Sequence, residues 1–94
     1  SERDQIMVYP NPLFSTNNLN IGLIIGGNTQ SNLEIIIYDS IGRQVGVIAI
    51  EDLESGINST INVSLKNILK SSGVYFLKIE TDESDITHKV MYIK

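Results

Sequence analysis

The chain has no cysteine and no tryptophan, a single histidine (His88), a single alanine (Ala49) and only two prolines, one residue apart. Without cysteine there is no disulfide framework, no thiolate metal site and no thiol nucleophile. His88 has no second histidine with which to share a metal. The common hydrolytic triads need a histidine base, and nothing near His88 in sequence supplies a nucleophile; beside Lys89 it reads as a surface or edge residue. Cationic excess is missing too. A net charge of −4 argues against a nucleic-acid or anionic-membrane footprint. No apolar run approaches the roughly 20 residues that span a bilayer as a helix. The polar, charged residues 1–5 are no signal peptide, so an export signal, if there is one, lies outside these residues or takes another form. The expectation is a chain with no catalytic, cofactor or nucleic-acid-binding role.

What is present favours strands. Isoleucine is used heavily, with valine, threonine and tyrosine behind it. β-Branched side chains lose χ1 freedom in a helix but fit a pleated surface. A chain of 94 residues has room for one domain and one core. The predicted fold is all-β: a seven-stranded, immunoglobulin-like antiparallel sandwich. The strands fall at residues 6–9, 19–25, 33–38, 44–50, 60–65, 74–81 and 86–93, with a single turn of helix around 67–70.

Several local patterns give this reading detail. In "VYPNPL", Pro10 and Pro12 cannot donate to a ladder and push Tyr9 and Asn11 towards extended geometry. Residues 6–9 therefore read as an edge strand that stops there. Leu19, Ile21, Leu23 and Ile25 share one face, as do Ile61, Val63 and Leu65, with Asn62 and Ser64 pointing outward. Asp39-Ser40-Ile41-Gly42 reads as a hairpin turn in which the aspartate accepts backbone N–H bonds and Gly42 takes positive φ. Tyr75 sits where a tyrosine corner of a sandwich would lie, its hydroxyl bonded to backbone a few residues upstream; as a plain core aromatic it would be buried just the same.

Some features carry chemistry only weakly. The acidic clusters Glu51/Asp52/Glu54 and Asp82/Glu83/Asp85 offer oxygen ligands without the spacing of a known calcium loop, and read as solvated turn charges. Asn58-Ser59-Thr60 and Asn62-Val63-Ser64 fit the glycosylation sequon, the second inside a strand. More informative is a surplus of apolar side chains. Ile36 and Tyr38, like Val74 and Phe76, fall on the face opposite the core. Either loops cover them, or they form a patch that another protein binds.

Three segments in order resemble one family: "VYPNP", "IYDSIGRQV" and "SGVYFLKIETDESDITHKVMYIK". Together they are similar to the C-terminal sorting domain of the type IX secretion system, type A class, of Bacteroidetes. The chain departs from the usual pattern in a longer acidic loop at 51–59 and a single terminal lysine, which leaves the weight of that lysine open. The resemblance implies an address label read by the outer-membrane translocon and its shuttle protein. It also implies a cargo domain on the N-terminal side, a sortase-type cysteine protease that cuts before the domain, and attachment of the cargo to the cell surface. Localisation would be periplasmic in transit, then secreted or cell-surface.

By the same resemblance, Pro10, Asn11, Pro12, Asp39, Gly42 and Arg43 match the first two motifs. Gly73, Val74, Tyr75, Lys78, Lys89 and Lys94 match the closing one. Residues 1–5 would be the remnant of a cuttable linker and residues 6–94 the sorting domain. Asp39-Ser40-Ile41 also looks like an acceptor for Bacteroidetes O-glycosylation. An accessory carbohydrate-binding sandwich or a structural spacer is the alternative, although a chain without tryptophan offers little for sugar stacking.

Overall fold

A computed structural model describes residues 5–16, 18–24, 31–53, 58–81 and 85–94. Among the described residues eight strands are formed: β1 (Gln5–Tyr9), β2 (Leu13–Phe14), β3 (Leu19–Ile24), β4 (Ser31–Tyr38), β5 (Gln44–Leu53), β6 (Asn58–Val63), β7 (Gly73–Glu80) and β8 (Asp85–Ile93). They make a three-stranded sheet, β1-β3-β6, and a five-stranded sheet, β2-β8-β7-β4-β5. The all-β sandwich is as expected. The strand beyond the seven expected is β2, only two residues long, and its pairing with β8 is parallel where an antiparallel sandwich was predicted. All other pairs are antiparallel.

The period-two pattern decides which side chains meet. Leu33, Ile35 and Ile37 of β4 are buried opposite Ile79 and Leu77 of β7. Leu19, Ile21 and Leu23 of β3 face them from the other sheet together with Val63, and Ile61 is half-buried against the same cluster. Fully burying such aliphatic side chains contributes roughly 1.5–3 kcal/mol each. Tyr75 and Tyr92 close the core edge-to-face, with ring centroids 6.4 Å apart. The anticipated helical turn forms through bonds from the Ile68 and Leu69 N–H groups to the Leu65 carbonyl. It seats Ile68 over Gly46, where an added Cβ would lie 2.8 Å from Ile68 Cγ2.

Among the described residues β1 is an edge strand, paired with β3 alone. Beyond the prolines, however, the chain leaves this sheet and joins the other one as β2. The Tyr9–Pro10 and Asn11–Pro12 peptides at this crossing are both cis. The glycine turn at 26–28 and the acidic turn at 82–84 lie outside the described residues, as do residues 1–4 and 54–57.

Candidate functional site

The first and third motifs meet through one side chain. Asn11 Nδ2 donates to the Lys89 carbonyl at 2.9 Å, and the Met91 N–H donates to Asn11 Oδ1 at 3.0 Å. A side-chain amide offers an acceptor oxygen and N–H donors of the same kind as the backbone's, and here the oxygen and one N–H both face β8. Asn11 therefore occupies the edge of β8 as an extra rung of ladder, just before β2 continues the pairing at Leu13 and Tyr92.

The second motif is the β4–β5 turn. Asp39 Oδ1 accepts the N–H groups of Ile41 (3.1 Å) and Arg43 (2.9 Å), and Arg43 Nε donates to Asp39 Oδ2 at 2.9 Å. Gly42 has φ +87°, the left-handed region that favours glycine. The Arg43 backbone N–H holds the Asp39 carboxyl below its ordinary range; desolvation opposes it, and the Arg43 guanidinium and the Ile41 N–H add to the lowering. Ser40 is exposed on this turn.

This turn shares a pocket of about 320 Å³ with the start of β7; Asp39, Arg43, Val45, Ser72, Gly73 and Tyr75 are among its lining residues. Here Tyr75 makes the tyrosine corner, its hydroxyl donating to the Ser71 carbonyl at 2.8 Å. The Lys94 N–H donates to Ser72 Oγ at 2.9 Å, tying the last residue to the same corner. Ser71 and Ser72 were missed in sequence; their signal was the position of two hydroxyl residues just ahead of Gly73.

The remaining strand residues of the closing motif share one face. Val74 and Lys89 lie on the outer face of the five-stranded sheet, in register with Met91 and Phe76. Lys78 is set apart: its ammonium pairs with Glu80 at 3.3 Å, and that hydrogen bond raises its pKa. The outer face also carries the apolar surplus. Ile36, Tyr38, Val74 and Phe76 are half-buried, flanked by Phe14, Val47, Met91 and Ile93, which are 36–47% exposed.

His88 departs from its surface reading. It stands opposite the fully buried Leu77 on the core-facing side of β8, half-buried, and its Nε2 is buried without a hydrogen-bond partner. Asn62 is engaged in a row of amides, donating to Asn20 Oδ1 and accepting from Asn18 Nδ2, both at 2.7 Å. The calcium candidates Glu54, Asp82 and Glu83 lie outside the described residues; among the described residues no three acidic or histidine side chains could hold a metal.

The family model of the secretion system C-terminal sorting domain matches residues 7–94. The chain belongs to this family. The domain is thus a C-terminal sorting signal of the type IX secretion system. Such a signal implies secretion across the outer membrane to the cell surface or the extracellular space. No curated protein matches the sequence significantly. Among solved structures the chain is similar to dimeric latent PorU from Porphyromonas gingivalis, with a TM-score of 0.71 at 18% identity over 99% of this chain. That likeness bears on the fold, and the sorting domain spans 10% of that chain.

Proposed function

We propose that residues 6–94 act as a preformed recognition unit that hands an N-terminal cargo from the periplasm to the type IX translocon through an outer-membrane shuttle protein. Residues 1–5 are then the remnant of the linker at which a sortase-type cysteine protease cuts, with attachment of the cargo to the cell surface. The domain supplies no chemistry of its own; it supplies a surface.

One observation supports this reading above the others. Segments far apart in sequence converge on the final hairpin: Asn11 is bonded to β8, and the Asp39–Arg43 turn shares a pocket with Gly73 and Tyr75. A folded sandwich therefore offers a partner all three motifs at once, whereas the unfolded chain scatters them. Such binding loses little conformational entropy, because the elements are ordered beforehand.

Export of a signal-peptide-bearing reporter fused to residues 6–94, in a host with this system, tests the proposal. Deleting residues 90–94 abolishes export on this account, and unchanged export contradicts it. Because Val90 and Tyr92 are core residues, the surface variants Arg43→Ala and Lys89→Ala separate recognition from folding: each lowers export while leaving the folded spectrum unchanged. Cutting of a longer cargo fusion upstream of Ile6 is expected, and cuts within residues 13–25 contradict the domain boundary.

A further inference from the structure

The pocket between the β4–β5 turn and the start of β7 mixes apolar and charged lining. Its less exposed members are the half-buried Ile68 and Asp39 and the buried ring of Tyr75, while Val45 is exposed at the bulge where β5 slips one residue against β4. Its exposed members are Arg43 and Lys70 together with serine hydroxyls.

The charges here run against those of the chain as a whole. The net charge of the protein is −4, yet this pocket holds two cations and one carboxylate, Asp39. Asp39 is already committed: both its oxygens accept bonds within the turn. Arg43 uses only Nε to reach it, and its side chain is 75% exposed, so the outer amines of the guanidinium are turned to solvent. Lys70 forms no ion pair among the described residues. A guanidinium with free amines suits a second carboxylate, and the exposed Val45 with the half-buried Ile68 suits an aliphatic group attached to it.

We propose that this pocket binds a carboxylate joined to an aliphatic side chain, offered by a partner protein. Two sources share that chemistry: a chain terminus ending in an aliphatic residue, and an acidic side chain beside one. The biological partner rests on the recognition role proposed above, but the pocket itself is open to measurement on the isolated 94-residue chain.

The experiment is a titration of the ¹⁵N-labelled domain, followed by amide chemical shifts, with N-acetyl-leucine, N-acetyl-leucyl-aspartic acid α-amide (its side-chain carboxylate free) and the neutral N-acetyl-leucinamide. N-Acetyl-leucine, with about a dozen heavy atoms, binds with a dissociation constant on the order of 1–10 mM at ordinary ligand efficiency. Saturable shifts are expected at Ser40, Arg43, Lys70 and Ser72 with N-acetyl-leucine or with the aspartate compound, and the stronger of the two identifies the source. Binding weakens as sodium chloride screens the cations. Lys70→Gln, which breaks no side-chain hydrogen bond among the described residues, weakens it about threefold, in the range of a partly exposed charge contact. Arg43→Gln weakens it further.

Equal binding of the neutral amide, shifts centred elsewhere, or no saturable shift overturns the proposal. A domain that exports its reporter but ignores both carboxylates removes the pocket alone. A domain that binds them but fails to export removes the recognition role alone.

Discussion

Asn11 and Lys89 stand 78 residues apart and are joined by a 2.9 Å hydrogen bond from the Asn11 amide to the Lys89 carbonyl. With the return bond from the Met91 N–H, this side chain fastens the proline segment to the strand that closes the fold. Replacing it with alanine removes both bonds, and Asn11→Ala is expected to lower stability by about 1–2 kcal/mol, read as a lower urea midpoint at unchanged slope. Asn11→Asp keeps the acceptor for Met91 but has no donor for Lys89, and should fall between the two.

The tyrosine corner makes a sharper test. Tyr75→Phe keeps the ring and deletes only the hydroxyl that donates to the Ser71 carbonyl. A loss of about 1 kcal/mol is expected, or a melting temperature lower by roughly 4–8 °C in a domain of this size. Ser71→Ala should do much less, because the acceptor is backbone. Equal losses in the two variants would move the interaction to the Ser71 hydroxyl, 3.4 Å away.

Gly46 is required by its neighbour rather than by its backbone. An added Cβ would meet Ile68 Cγ2 at 2.8 Å, and that methyl sits on a stiff, β-branched side chain. Gly46→Ala should destabilise by about 1–3 kcal/mol, as overpacking does. Ile68→Ala in the same chain should recover part of the loss, with the coupling measured by a double-mutant cycle.

Acid should act through the second motif. The folded-state pKa of Asp39 is lowered, so its contribution is complete above the ordinary aspartate value of about 3.9. It fades as pH falls through the lowered folded value. The stability difference between the parent and Asp39→Asn should thus be constant near neutrality and shrink steadily below about pH 4. Chemical denaturation across that range measures it, and a difference that grows towards acid contradicts the assignment.

Much of this architecture is legible in single strands. The alternation of Leu33, Ile35 and Ile37 locates a core face, and the Asp39–Gly42 stretch locates a turn, because both signals are local. Tyr75 was readable as a corner residue from its place near the start of the strand that follows Gly73. The two-residue strand Leu13–Phe14 was not readable: a pair this short has no period, and its parallel partner lies at the other end of the chain. The role of Asn11 was hidden for the same reason, since its two bonds bridge 78 and 80 residues. His88 misled because a polar residue beside a lysine reads as exposed, whereas its register with Leu77 turns it towards the core. The outer-face surplus of Ile36, Tyr38, Val74 and Phe76 was visible in sequence, and the exposed flank of Phe14, Val47, Met91 and Ile93 around it emerged only from the strand order.

The central claim is that the sorting label is read as a folded object. Ile21 is fully buried in the three-stranded sheet and belongs to none of the three motifs. Ile21→Asp puts an unpaired carboxylate in the core and leaves every motif residue in place, at a destabilisation of several kcal/mol. The fraction of a signal-peptide-bearing reporter that reaches the outside of the cell, relative to the parent fusion, is the deciding quantity. Retention of the Ile21→Asp fusion in the periplasm is the predicted result, and export at the parent level would contradict the account.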